Sequence, residues 1–324
     1  MTGDAARLVD DKKPVHIITL RQIEGMRTAP GPARLPSGDV THHSKEMAGE
    51  LERVQKPMRE LQKSLKNLRG GSLPKDVHKL RTATRHVEAI AVALPGADRK
   101  QSRRLIQSLE PVRKAAGGVR DMDVLASNAR RLARYSKGAS LTRLVETLET
   151  ARQQNAIELR RALARRRKTA RRRLKKYSRI VLSELAPTDT KPTGANRNGH
   201  VQEGVSTVSM KCVRELSEWP PLTASNVHEF RLKVKELRYI LQLFGDADSD
   251  FVDALGDVQR RVGDWHDWHQ LEEIAREIFA ADQNNALVSR IAEIAKRKLD
   301  QALAAANALR RHYLQTAMPH AHGC

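Results

Sequence analysis

Two eighteen-residue stretches carry one pattern: VHKLRTATRHVEAIAVAL from Val77 to Leu94, and VHEFRLKVKELRYILQLF from Val227 to Phe244, 150 positions on (227 − 77). At about 100° per residue, His228, Arg231, Lys235 and Arg238 fall on an arc about 80° wide. Val227, Phe230, Val234, Leu237, Leu241 and Phe244 fill the adjoining arc. A solvated basic face would stand opposite the apolar stripe, whereas cations bordering it line a groove between packed helices. The ordinary alternative is a charged helix whose Lys and Arg stems cover the edge of the core. In the first stretch His78, Arg81 and Arg85 match His228, Arg231 and Lys235, and Val77, Leu80, Val87, Ala91 and Leu94 retake the apolar arc.

The similarity extends beyond the paired helices. Each copy is followed by a shorter helical pattern, a glycine and an aspartate four residues on, Gly117 with Asp121 and Gly263 with Asp267, and each half closes on a long Arg-rich helix. This repetition implies duplication and a pseudo-twofold pair of bundles.

Helical periodicity runs over 43–69, 75–94, 99–116, from 121 onward, 141–185, 205–218, 227–244, 251–262, the DWHDWHQLEEIAREIFA segment and 287–318. Gly117-Gly118 and Gly263 read as interruptions, with Asp121 and Asp123 suited to the first turn of a new helix. Nothing reads as a run of strands, so the expected class is all-α. The expected division is a flexible arm over 1–42, a first helical half over 43–185, a polar linker over 186–204, a second half over 205–318 and a tail over 319–324.

Charge narrows the function. Lys and Arg number 59 against 38 Asp and Glu, a formal charge of +21, which attracts a polyanion: nucleic acid, an anionic membrane surface or a polymeric phosphate. Aromatic residues make up only 3%, and no basic run is interleaved with the rings that single-strand readers stack under bases. Contacts with phosphate are favoured over contacts with bases. Cys212 and Cys324 are too few and too scattered for a disulfide framework or a zinc site, which fits a reducing compartment. With no signal-like segment and no run of about 18 apolar residues, a soluble cytoplasmic protein without membrane insertion is expected.

The motifs VHKLRTATRH and GVRDMDVL in the first half, VHEFRLKVKELRY and VGDWHDWHQL in the second, and the basic helices closing each half resemble the CHAD domain, the conserved histidine α-helical domain. The resemblance covers about residues 43–317. It implies two similar helical bundles, with long antiparallel helices around a basic central groove or pore, that bind inorganic polyphosphate and associate with polyphosphate granules. On that reading the principal ligands are Arg81, Arg85, Arg231, Lys235 and Arg238, with His78 and His228 as further donors and Arg120 beside Asp121 as an additional cation. The two histidines have an alternative role as buried imidazoles holding adjacent helices together. Glu88, standing where the second copy has Arg238, sets a carboxylate at the groove edge, so the second copy is expected to grip harder.

The acid-free run RRALARRRKTARRRLKK, Arg160 to Lys176, adds Arg161, Arg165, Arg166 and Arg173 as candidate ligands, unless it is simply a solvated face; Arg310 and Arg311 are late candidates of the same kind. Asp264, His266, Asp267 and His269 in DWHDWH resemble metal ligands. Asp and His so close after a glycine more often cap a helix or orient an arginine. There is no P-loop pattern and no ExExK cluster, so neither an enzymatic role nor a metal or cofactor is expected. Nucleic-acid binding stands second to polyphosphate binding, and a metal-dependent phosphohydrolase third.

Overall fold

A computed structural model describes residues 40–68, 73–94, 99–133, 138–185, 197–244, 248–282 and 284–314. Eight α-helices occur among them, with no strand: α1 (Val40–Asn67), α2 (Pro74–Ala93), α3 (Arg99–Leu132), α4 (Ala139–Leu185), α5 (Arg197–Ser217), α6 (Val227–Phe244), α7 (Ser249–Ile278) and α8 (Ala286–Leu309). Arg310–Leu314 continues as a π-helical turn. The expected arm lies outside the described residues up to position 39, and its last three residues already belong to α1. Residues 186–196 and the tail also lie outside them. Helix α5 starts at Arg197, well before the expected position 205, because two weak helix formers, Gly199 and Gly204, hide the pattern without stopping the helix.

The glycine interruptions are a second correction. Helix α3 runs 34 residues straight through Gly117-Gly118, and α7 runs 30 residues through Gly263. One glycine costs a helix about 1 kcal/mol, and close packing across it can offset that. Asn155 Nδ2 of α4 donates to the Gly118 carbonyl at 3.2 Å, and a Cβ on Gly118 would meet Asn155 Cγ at 3.1 Å. Asp121, Asp123, Asp264 and Asp267 are therefore mid-helix residues and cap nothing. Side-chain caps form at Asp248, accepting from the Asp250 and Phe251 amides, and at Asn285, accepting from those of Leu287 and Val288.

Helix α4 is unbroken over 47 residues, as its proline- and glycine-free sequence predicts, a length of about 70 Å at 1.5 Å per residue. It lies antiparallel along α3. The cross-links Arg130–Glu149, Asp123–Arg152 (2.6 Å), Gly118–Asn155 and Arg104–Arg173 follow one another in opposite chain directions. Helices α7 and α8 form a second such hairpin. In chain order α1 packs on α2 and α2 on α3, as α5 packs on α6 and α6 on α7, and α2 meets α6.

Apolar burial divides across the chain halves. The larger core takes residues from all eight helices, among them Leu61, Leu80, Leu109, Tyr177, Leu216, Phe230, Leu255 and Ala306. The second is built only from the far ends of the two hairpins: Leu125 to Leu132, Leu141 to Leu148, Trp268 to Phe279 and Leu287 to Ala295. Near the junction of the cores the same four helices carry polar pairs, Arg152 Nε with Asp123 Oδ1 at 2.6 Å and Lys298 Nζ with Asp264 Oδ2 at 3.4 Å. Leu271 is fully buried in the far core, so Leu271→Ala is expected to lower stability by about 2–5 kcal/mol in denaturant unfolding. Hydrogen exchange should also quicken at Leu141–Leu148 of α4; a change confined to α7 and α8 would contradict a shared far core.

Candidate functional site

Helices α2 and α6 each lay an apolar arc on the larger core, and their mutual contact brings the neighbouring cationic arcs together. Lys235 lies in the field of Arg85, Arg231, Arg81 and Arg113. Burial first, and then those four guanidiniums, pull its ammonium down to about 7. Its Nζ stands 5.5 Å from the Tyr239 ring centroid, and Tyr239 meets His86 of α2 edge-on at 5.0 Å. Burial, with Lys235 and Arg238 adding to it, holds His86 below the usual imidazole range. At neutral pH His86 is thus an aromatic spacer between two charged helices.

Helix α7 fixes the α6 arginines through its glycines. Arg231 Nε donates to the Gln259 carbonyl at 2.9 Å, and Arg238 Nη1 to Gln259 Oε1 at 3.3 Å. A Cβ on Gly263 would stand 2.9 Å from Arg231 Nη2, and one on Gly256 would stand 3.2 Å from Arg238 Cζ. These glycines clear a path for guanidinium groups to lie flat on α7.

The aspartates partly balance the cluster. Asp121 Oδ1 is 3.8 Å from Arg81 Nη2, and Asp267 faces Arg231. Burial raises Asp267 to about 6; Arg231 pulls it down, while Asp121 and Asp264 push it further up. Burial likewise raises Asp121, against Arg81, Arg120, Arg231 and Lys235. The DWHDWH side chains diverge: Asp264 to Lys298, Asp267 to Arg231, His266 onto His228, and His269 stacked on Trp265 at 5.6 Å. Among the described residues no three His, Cys, Asp or Glu side chains are grouped to hold a metal ion.

Glu88 does not stand alone at the edge. Its Oε1 accepts from Arg113 Nε of α3 at 2.8 Å, with both side chains largely buried. Counting back four residues from Gly117 and from Gly263 reaches Arg113 and Gln259. The first half therefore pairs an acid on α2 with a cation on α3, and the second pairs a cation on α6 with an amide on α7. Arg113 escaped the sequence reading because it lies outside the matched stretches. The offset that equates Gly117 with Gly263 was the signal that could have found it.

The remaining candidates scatter. His78 is exposed and held below its usual range by partial burial and by Arg120 and Arg81, which places it beside the cluster with Arg120. His228 is more enclosed, its ring 4.1 Å from that of His266, so it bridges α6 to α7. Burial and then Arg231 depress its pKa. On α4, Arg161 pairs with Glu158 at 2.6 Å, Arg165 and Arg166 are exposed, and Arg173 donates to the Arg104 carbonyl. Arg310 clamps the carbonyls of Pro220 (3.2 Å) and Trp219 (2.5 Å), while Arg311 is exposed.

Fold and cluster define an all-helical protein that gathers unbalanced cations between two helices of like sequence. The family model described as the CHAD domain matches residues 52–276, well over half of the chain, and the chain belongs to the CHAD family. A crystal structure of the CHAD domain from the plant Ricinus communis is similar at 16% sequence identity and a TM-score of 0.49, covering 82% of this chain and 88% of that one. A search of curated proteins returned no match.

Lys235 makes the cost of this cluster measurable. Its folded pKa lies below its unfolded one, so the unfolded chain binds the proton more tightly and the charge opposes folding at neutral pH. Lys235→Met is expected to raise the stability of the free protein at pH 7.5 by on the order of 1–3 kcal/mol. The gain should be full below pH 7 and vanish as pH rises towards about 10; denaturant midpoints across that range check it.

Proposed function

We propose that the protein binds inorganic polyphosphate, without acting on it as an enzyme, in a basic groove where α2 and α6 meet. It associates with polyphosphate granules in the cytoplasm. The observation that carries this reading is Lys235, pushed to about 7 by burial and by Arg85, Arg231, Arg81 and Arg113. So much like charge in one half-buried place is stabilised by a dense anion. Polyphosphate offers about one negative charge and several acceptor oxygens per unit, suited to the guanidinium fork and the mobile ammonium. Buried Arg85 Nε and Arg238 Nε have no hydrogen-bond partner, and both sit on this wall. The matching order of helix contacts supports an internal duplication, with bundle halves over 43–185 and 205–318 that the helical residues 40–42 and 197–204 extend at their N-terminal ends. No helix among the described residues is long and apolar enough to cross a membrane.

A competition titration tests the reading. Long-chain polyphosphate should displace a fluorescent RNA at equal phosphate concentration, with steep salt dependence. The double variant Arg231→Ala, Arg238→Ala should bind polyphosphate at least about tenfold more weakly, 1.4 kcal/mol. RNA winning the competition would overturn the ligand, and parental affinity in the double variant would overturn the site.

Binding should also strengthen as pH falls from 8 to 6 at constant ionic strength. Lys235 gains a proton near 7 and Asp267 near 6, and both steps make the cluster more positive. Lys235→Met should remove the part of the rise centred near 7. A flat profile in calorimetric titrations would exclude both groups from the site.

A further inference from the structure

The cluster leaves the densest basic segment of the chain unused. Between Arg160 and Arg179 the sequence contains no Asp or Glu. On the α4 helix, with Leu163 at zero, the buried residues Leu159, Leu163, Ala170, Leu174, Tyr177 and Val181 lie within about 40° of that direction. Exposed Arg161, Arg165, Lys168, Arg172, Lys176 and Arg179 lie between about 140° and 220°, opposite the buried stripe. They form a single row about 27 Å long on a straight helix. The charges acting most on Arg85, Asp121, Lys235, Tyr239 and Asp267 belong to α2, α3, α6 and α7. Helix α4 packs chiefly on α3 and α1, whereas the cluster lies where α2 meets α6, so the row on the solvent side of α4 is a separate surface.

We propose that this row is a second binding surface for linear polyphosphate, so that one protein molecule holds two phosphate chains, or two stretches of one long chain, and cross-links them. The proposal rests on polyphosphate being the ligand of the α2–α6 cluster. Like charges three and four residues apart repel along a helix, and a linear anion lying on the row removes that repulsion. The alternatives fit less well. Tyr177, the aromatic residue within the segment, is fully buried, so no ring is offered to a nucleic-acid base. The apolar side of α4 is committed to the core, so the helix has nothing to insert into a lipid surface.

The test uses the full chain and polyphosphate of two lengths: a short one unable to span both surfaces, and a long one. Calorimetry should count two short chains per wild-type molecule, and the long chain should assemble the protein into large particles by light scattering. The variant Arg165→Gln, Lys168→Gln, Arg172→Gln, Lys176→Gln should bind one short chain, within twofold of the stronger wild-type affinity, and should form no large particles. Independently of any variant, short polyphosphate should protect Lys168 and Lys176 of the wild type from acetylation. One chain per wild-type molecule, unprotected Lys168 and Lys176, or undiminished particle formation by the variant would each overturn the second surface. So would RNA or phosphatidylserine vesicles displacing polyphosphate from α4. Failure of the underlying reading looks different: short polyphosphate would then bind neither the wild type nor the α4 variant.

Discussion

Like charge held together between α2 and α6 is the constraint that the rest of the structure serves. Arg81, Arg85, Arg231 and Lys235 repel one another, and burial first, then these arginines and Arg113, displace Lys235 to about 7. Such a cluster persists only because each helix is anchored elsewhere: Val77, Leu80 and Val87 on one, and Val227, Phe230, Val234 and Leu237 on the other, are essentially inaccessible. Hydrophobic burial supplies the stability that the charges remove. The cations stay beside the packing stripe, where water cannot fully screen them.

The level of the cluster matters as much as its charge. Arg120 and Asp121 fall between Val119 of the larger core and Leu125 of the far one, and His266 and Asp267 fall between Trp265 and Trp268 in the same way. Both long hairpins thus pass through a polar belt between two apolar bodies. Asp123–Arg152 locks one hairpin within that belt, and Asp264–Lys298 locks the other at its edge. With the hairpins held on both sides, α3 and α7 act as rigid rails on which the arginines rest. Gly263 and Gly256 let Arg231 and Arg238 approach their rail closely.

The asymmetry between the matched stretches is smaller than their sequences imply. Glu88 in place of Arg238 looks like the loss of a cation, yet Arg113 on the adjacent helix neutralises it. In the second half Arg238 reaches Gln259 at the equivalent place. The cation has moved from one helix to its neighbour, and the carboxylate it meets there leaves the first pair neutral where the second carries one positive charge. Comparing two aligned helices cannot show this, because the compensating residue belongs to neither.

Apolar period determined the all-helical class, the lack of proline and glycine the unbroken α4, and the repeated His, Arg and Asp positions the matched cationic arcs of α2 and α6 and the family, since each is a property of a single helix or of two similar segments. The glycines were misread as helix stops, because a weak local preference was judged without the neighbour that overrides it: Asn155 against Gly118, Arg231 against Gly263. Arg113 as partner of Glu88, the transverse division of the core, and the ordering of Asp121 and Asp267 against Arg81 and Arg231 were decided by tertiary structure alone. They depend on which helices touch and at what height, and that is settled by the packing of all eight together.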